Sequence, residues 1–582
     1  MRIVALEVQN FRGIKQSKIV IPEKRVLCLV GAGDSTKSTL LEAIRWNLLQ
    51  SWIINATDSD FYQCNTEKSI IIRGTYTELP DGLLSEEKFG YFLRSGKAVV
   101  NSFCNGIDNN DLNWDDEPKE IDDVCLTVQL TIETSLEPKW EIICNRIEPK
   151  ALSVSDRRLL LSNCIDNDFN CDFSWGRNSI LHHYADEKGE LRSAYTEAFR
   201  NASKSVEFET LNEISRTVKV TGKQYGVPLV GEISNQLVMK PNGISTAVEL
   251  YDNKTPLSQQ GLGSRRLMSI GLNVNASDGA SLLLIDEVET GLEPHRVCSL
   301  IGELKRSHKD IGQVLMTTHS SCAVSELSAD ELLMVNSKDG ITTVHAIGTE
   351  KIDGARGLVR GNPESLLAKR LIVCEGKTEV GILRALDTFL MEFEHFHLSY
   401  RGVCPVDGNG GDRAIKLAMH LNTCGYEVCV LMDSDVDSDN KNKEDLLALG
   451  IPVFDWDLNN SIEEQIFIDV DTTVAEKILS LVIDENNIVE KQKKLNSGDD
   501  VCLIEDGVLK LKVGLSAEQK KHIGTVAKNA NTKKSTNETS WFKRIDHGED
   551  LGAIIFSVYD QIDADTTLKK TLDAIIDWVK RP

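Results

Sequence analysis

The sequence predicts an α/β protein with two successive units, each built around a parallel sheet. Three observations lead there. Short, mostly apolar runs of strand length recur at 26–30, 281–285, 313–317, 370–374 and 428–432. Runs that apolar fit strands buried on both faces, the usual state of a parallel sheet between helices. Helical patterns follow them, as in 37–49, where Leu40, Leu41, Ile44 and Leu48 share one face. The chain has 582 residues, enough for about four structural units at ~150 residues each.

Taken in order, residues 3–8 and 17–21 read as paired strands, and 69–76, 124–132 and 140–145 as further ones. Residues 109–123 are acidic and polar, a loop. From 155 to 240 the pattern changes to long helical stretches of mixed charge, read as a helical insertion suited to dimerisation. It divides a first domain into 1–154 and 241–346. A connector leads to a second unit at 369–475, with strands at 370–374 and 428–432 and helices at 379–386 and 414–421. Residues 476–582 read as a helical, polar extension. Within it Lys520, Lys521, Lys528, Lys533, Lys534, Lys543 and Arg544 face one acid, Glu538.

Composition narrows the function. Asp plus Glu number 89 and Lys plus Arg 65, a formal net charge of −24. This excludes a protein that coats nucleic acid by bulk charge, because phosphate binding needs clustered cations. A local basic groove remains compatible. The 14 cysteines form no C-x-x-C pair, which argues against a zinc ribbon and for reduced, buried thiols. No run of about 18 apolar residues spans a membrane, and residues 1–16 lack a signal-peptide core. The expectation is a cytoplasmic protein.

The first chemical constellation concerns nucleotide phosphates. Gly31-Ala32-Gly33-Asp34-Ser35-Thr36-Lys37-Ser38 matches the phosphate loop G-x-x-x-x-G-K-[ST], with Thr36 in place of the second glycine. Such a loop gathers backbone N–H groups around phosphate oxygens at a helix N-terminus. Lys37 would reach the β/γ-phosphates, Ser38 would hold Mg²⁺, and Thr39 continues the helix. A Cβ at Thr36 restricts the loop, so slow hydrolysis is expected. Asp286 and Glu287 end an apolar strand as Mg²⁺-water ligand and water-polarising base. His319 ends the next strand, placed to sense the γ-phosphate. ATP with one Mg²⁺ is the expected cofactor.

The second constellation is acidic. Glu375 and Glu379 follow the strand at 370–374, and Asp433 and Asp435 end the strand at 428–432. Hard oxygen ligands at the C-terminal ends of neighbouring parallel strands suit Mg²⁺ or Mn²⁺. Such ions stabilise the attacking and leaving oxygens in phosphodiester cleavage. Asp437 and Asp439 read instead as a solvated acidic loop.

These motifs resemble known families. The order phosphate loop, Asp286-Glu287, His319 resembles an ABC/SMC-type ATPase head, and Asn10-Phe11-Arg12-Gly13 looks like its N-F-R element. Leu257-Ser258-Gln259-Gln260-Gly261-Leu262-Gly263-Ser264-Arg265-Arg266 occupies the signature position but departs from L-S-G-G-Q. In such heads that segment, here Ser258, Gly261 and Gly263, contacts the γ-phosphate of a second subunit, which implies a homodimer or higher homo-oligomer. The E-G-x-[TS]-E and D-x-D pair resembles the Toprim (Rossmann-like) fold. Both in one chain resemble the OLD (overcoming lysogenization defect) nuclease family. That resemblance implies metal-dependent DNA cleavage or nicking with two ions. Glu375, Asp433 and Asp435 would hold one; Glu379, Ser461 and Glu463 would hold or orient the other. Lys543, in Trp541-Phe542-Lys543, would stabilise the developing phosphorane charge.

Other readings fit less well. A type IA topoisomerase needs a nucleophilic tyrosine in another large domain; Tyr426 reads as core. A bacterial-type primase needs a zinc module. The serious alternative is an ATPase sensor or scaffold whose nuclease waits for a partner, since some OLD members work beside a helicase and others beside a reverse transcriptase with its small DNA. The family resemblance favours anti-phage defence, with repair or genome processing second.

Overall fold

A computed structural model describes residues 1–50, 54–95, 124–160, 162–165, 209–229, 231–238, 247–275, 282–307, 312–348, 355–529 and 541–581. The chain forms two compact units, Met1–Thr349 and Glu350–Pro582.

The first unit is organised by a 13-stranded sheet. Its parallel half runs Ser162–Ile165, Leu282–Ile285, Gln313–Thr317, Val26–Val30 and Leu332–Lys338. Every residue of the Val26–Val30, Leu282–Ile285 and Gln313–Thr317 strands is buried, as their apolar sequences require. Ile341–Ala346 turns back antiparallel and joins Ile14–Val20, after which the sheet is antiparallel through Arg2–Phe11, Ile70–Thr77, Val124–Ile132 and Pro138–Ile143.

One helix ties the two halves together. Lys37–Asn47 buries Leu40, Leu41 and Ile44. Its last residue, Asn47, is fully buried and donates to the carbonyls of Ile72 and Val128, each at 3.0 Å, while the Tyr76 hydroxyl donates to it at 2.8 Å. The phosphate loop therefore begins a helix whose far end is fixed. The N-F-R element belongs to the same anchor: Arg12 donates to Asp60 at 2.9 Å and lies over the Phe11 and Trp46 rings. Between 155 and 240 the described residues form the helix Glu209–Gln224 and the strands Ser162–Ile165 and Ile233–Val238. The loop read at 109–123 lies outside the described residues.

The second unit holds a parallel sheet in the order Val403–Asp407, Arg370–Cys374, Glu427–Leu431, Val453–Phe454. The extension beyond residue 476 departs from expectation. It was read as polar, yet Leu551, Ile555, Phe556, Leu568, Leu572, Ile575 and Trp578 are buried in one core with Ile372, Cys429 and Leu431. Charged outer faces lower the mean hydropathy of these helices while a continuous apolar stripe remains. A hairpin of Cys502–Glu505 and Val508–Leu511 was also not anticipated. Buried Arg370 joins sheet to C-terminus: it donates to the Trp578 and Val579 carbonyls at 2.5 and 3.1 Å and stacks on the Trp578 ring. Among the described residues no helix is long and apolar enough to cross a membrane.

The helix Lys377–Glu394 carries Glu379 and packs on Ile545–Ser557 through Gly381, Gly548 and Gly552. A Cβ at Gly381 would stand 2.6 Å from the Glu549 nitrogen, and one at Gly548 2.5 Å from the Thr378 carbonyl. Backbone cannot yield as a flexible side chain does. Gly381→Val is expected to cost at least about 1–3 kcal/mol, read as a lower urea midpoint of the second unit's transition. A wild-type midpoint would contradict this packing.

Candidate nucleotide site and carboxylate centre

The phosphate loop leaves the C-terminal end of Val26–Val30. Gly31 has φ 140°, and a Cβ there would lie 2.5 Å from the Val335 carbonyl oxygen, so glycine is required. Gly33 is exposed and a Cβ there meets nothing. Asp34 and Thr36 both adopt left-handed backbone, at φ 60° and 66°. Thr36 thus takes the conformation a glycine would adopt, at a cost of roughly 1–2 kcal/mol. Its hydroxyl is bonded to that of Thr342 at 2.9 Å.

Lys37 is buried. Its ammonium donates to the carbonyls of Gly31 and Ala32 at 3.1 and 2.7 Å and to Ser35 at 3.1 Å. Burial pulls its pKa down, and the Asp286 carboxylate opposes that. Ser38 donates to Asp286 at 2.9 Å. Thr39 is half-buried in the first helical turn. Asp286 meets Ser38 from the second strand over.

Asp286 and Glu287 are held by residues that the motif search passed over. Thr317 donates to Asp286 at 2.6 Å and accepts from the Glu287 N–H at 2.7 Å. Thr290 donates to Glu287 at 3.0 Å. Glu287 has φ 45°, a left-handed turn. Fully buried Arg266 donates to the carbonyls of Asp286 and Glu287, the latter at 2.8 Å. His319 is exposed; its backbone N–H and the Thr318 hydroxyl both donate to Glu289, each at 2.6 Å.

In the signature segment, Ser258 lies in a short 3-10 turn and Gly261 is exposed. Gly263 is buried against Gly291, in the loop after Glu287. The segment therefore braces the acidic strand end of its own chain, a role the sequence reading had not assigned. Its second arginine was the available signal. Arg266→Ala leaves two half-buried carbonyls short of a donor, worth about 0.5–1.5 kcal/mol each. We expect single-turnover ATP hydrolysis to fall roughly tenfold or more while binding of a fluorescent ATP analogue changes less than about threefold. Equal losses in both would contradict this division.

The carboxylate centre lies at the C-terminal ends of Arg370–Cys374 and Glu427–Leu431. Adjacent parallel pairing brings Cys374 opposite Leu431, so the residues that follow must meet. The Asp433 N–H donates to Glu375 at 2.9 Å. The Gly376 N–H donates to Glu379 at 2.9 Å, and the Ile462 N–H to Asp433 at 2.8 Å. Glu379 and Glu463 are buried, and Asp433 is largely so. Burial raises the Glu379 carboxyl to about 8, with Glu463 and Glu375 adding to it. Asp433 is raised by burial and then by Glu379, Glu463 and Glu375. Glu463 is raised by burial, and Lys543 opposes the shift.

Four acids thus act on one another's charge, and exposed Lys543 acts on the same group. Ser461 caps the helix Ile462–Asp469, accepting from the Glu464 N–H at 3.4 Å, and bonds Glu463. It orients an acid rather than standing as an independent ligand. Asp435 is paired with Lys528. Lys443, buried behind the turn, donates to the Asp433 carbonyl at 2.9 Å, to Ser434 at 3.0 Å and to Asp455 at 3.0 Å.

Among the described residues no three His, Cys, Asp or Glu side chains are already gathered at metal-binding spacing. The donor set nevertheless suits a hard divalent cation: all donors are carboxylates, and their mutual repulsion is relieved by positive charge.

The basic stretch needs correction. Lys520 donates to the Ile468 and Val470 carbonyls at 3.2 and 2.8 Å, and Lys521 to the Asn459 carbonyl at 2.7 Å. Arg544 pairs with Asp546. These cations staple local structure instead of lining a continuous groove. Lys533 and Lys534 lie outside the described residues.

Known protein families match residues in both units. Residues 26–325, more than half the chain, match the AAA-domain model named for the AbiEii toxin and the Type IV TA system. Residues 366–435 match the overcoming lysogenization defect protein-like TOPRIM domain. "Old nuclease" of Escherichia phage P2 is 22% identical over 491 residues, covering 75% of this chain and 77% of that protein. "Retron Vc95 probable ATPase" of Vibrio cholerae serotype O1 biovar El Tor is 20% identical over 392 residues, covering 58% of this chain and 74% of that protein. A solved SMC head bound to the C-winged helix domain of ScpA is 16% identical, at a TM-score of 0.39, covering 60% of this chain and 99% of that one. With an AAA ATPase domain followed by an OLD-like TOPRIM domain, the chain belongs to the OLD family.

Proposed function

We propose that this chain is an ATP-binding, divalent-metal-dependent DNA endonuclease that nicks or cleaves its substrate. The observation that carries the reading is the crowding of Glu375, Glu379, Asp433 and Glu463 at the strand ends of an OLD-like TOPRIM domain. The matched relative named a nuclease supports it.

In this reading Glu375, Asp433 and Asp435 hold one Mg²⁺ or Mn²⁺. Glu379 and Glu463, with Ser461 fixing Glu463, hold a second. The ions supply Lewis-acid stabilisation of the attacking and leaving oxygens of the phosphodiester. The chain's own work is positional. Backbone N–H groups of Gly376, Asp433 and Ile462 aim the carboxylates, and Lys443 fixes the turn behind Asp433. Lys543 donates to the oxygen on which negative charge develops.

In the first unit Lys37 and the loop amides bind ATP phosphates, and Ser38 and Asp286 hold the accompanying ion. Glu287 polarises water and His319 senses the γ-phosphate. Ser258 and Gly261 face the nucleotide of a second copy, making the chain a homodimer or larger homo-oligomer, while Gly263, expected to join them, is buried against Gly291 of its own chain. Thr36, held in a left-handed conformation, fits slow turnover, with nucleotide setting assembly state. We place the chain in the cytoplasm and, as its family resemblance implies, in anti-phage defence.

A second reading is favoured by the Lys528–Asp435 ion pair: the nuclease is gated, and a helicase or a reverse transcriptase with its DNA releases it. Plasmid nicking by the purified chain with Mg²⁺ or Mn²⁺ tests both. Metal-dependent nicking that falls at least about 100-fold in Asp433→Ala supports the autonomous enzyme. Nicking that begins only on adding a partner supports gating. Nicking unchanged in Asp433→Ala overturns the assignment.

A further inference from the structure

Of the lysines in 517–528, Lys528 alone has a carboxylate of the D-x-D turn as its partner. Its helix is firmly placed. Ala517–Lys528 lies against Ile462–Asp469 with Gly524 at the contact, where a Cβ would stand 2.8 Å from both the Glu463 oxygen and the Glu464 nitrogen. Thr525 donates to Glu464 at 2.6 Å, and Lys520 and Lys521 bind the backbone at each end of that helix. The Trp541 N–H donates to the Ala527 carbonyl at 3.2 Å, and Thr378, beside Glu379, donates to the Phe542 carbonyl at 3.1 Å. The frame that positions the acids thus also delivers Lys528. Its ammonium pairs with Asp435, and each side chain is 19% exposed. Asp433, Glu375 and Lys543 lie close enough to act on its charge.

We propose that Lys528 is a catalytic residue of the carboxylate centre that exchanges partners, leaving Asp435 for the scissile phosphate. The inference rests on the nuclease reading and deepens it. One carboxylate cannot serve an ammonium and a divalent ion at full strength, and at equal distance the divalent charge interacts twice as strongly. Once Asp435 is satisfied by a divalent cation, Lys528 is a partly buried charge without its counter-ion, a costly state unless another anion arrives. A non-bridging oxygen of the phosphodiester meets that need. As the water oxygen–phosphorus bond forms and the ester phosphorus–oxygen bond breaks, negative charge grows on that oxygen. The ammonium stays protonated and donates a hydrogen bond to it.

Two quantities should then move in opposite senses. With the full-length chain and no DNA, Lys528→Met should bind Mn²⁺ about 3- to 10-fold more tightly by electron paramagnetic resonance, because a competing cation is gone. With DNA at saturating Mn²⁺, its single-turnover nicking should fall about 100-fold. Lys528→Arg should restore part of the rate and return Mn²⁺ affinity toward wild type. A general structural defect would weaken both quantities, and a simple brake would quicken nicking. Unchanged or weaker Mn²⁺ binding in Lys528→Met overturns the exchange, as does an undiminished rate. Should Lys528→Met fail to fold, Lys528→Gln reads the same two quantities. If the wild type nicks nothing with or without a partner, the nuclease reading fails on its own, and an unmoved Mn²⁺ affinity in Lys528→Met then overturns the exchange separately.

Discussion

Carboxylates repel one another, and the second unit forces several of them together. Parallel pairing of Arg370–Cys374 with Glu427–Leu431 aligns the two strand ends, so Glu375 and Asp433 meet whatever their charges. Glu463 arrives at the start of a helix whose first N–H, that of Ile462, donates to Asp433. Glu379 lies in the first turn of another. Helix N-termini offset negative charge there by about 0.3–1 kcal/mol each, which is small against the burial of Glu379 and Glu463 beside two further acids. Burial first, and the remaining repulsion after it, raises the carboxyl pKa values of Glu379 and Asp433. A fold that keeps such an arrangement has a use for the positive charge that relaxes it.

The first unit solves a related problem with the opposite sign. Its phosphate loop, Asp286 and His319 all stand at the C-terminal edge of a parallel sheet, the edge at which open α/β sheets bind ligands. In the function we propose, the loop amides and Lys37 present positive character to an anion there, and Asp286 and Glu287 supply the acid. Arg266, Thr317, Thr290 and Glu289 hold that edge through hydrogen bonds to backbone and carboxylate. The signature segment is thereby mechanically joined to the acidic strand end within one chain. A change at either place is felt at the other.

Much of this was legible in the residues. Apolar runs such as Val26–Val30 and Leu282–Ile285 read as buried strands, and acids or glycines directly after them as residues of the sheet edge. Partnerships distant in sequence were not legible. Lys528 meets Asp435 across 93 positions, and a run of basic residues looks the same whether it lines a groove or staples carbonyls. Lys520 and Lys521 staple. The family resemblance had Ser461 hold or orient an ion beside Glu463; its position is that of an N-cap, with Glu464 completing the capping box. The C-terminal helices were misread as polar because composition averages over faces, whereas burial depends on one stripe. Gly381 and Gly548 gave no signal at all, since close approach of two helices is a property of both.

The most direct test of the account is where a divalent ion sits. In crystals of the full chain grown with Mn²⁺, anomalous scattering should place ions among the oxygens of Glu375, Asp433 and Asp435 and beside Glu379 and Glu463. A map with no anomalous density at these acids, and their side chains turned to solvent at a Mn²⁺ concentration that saturates the protein in solution, would contradict it.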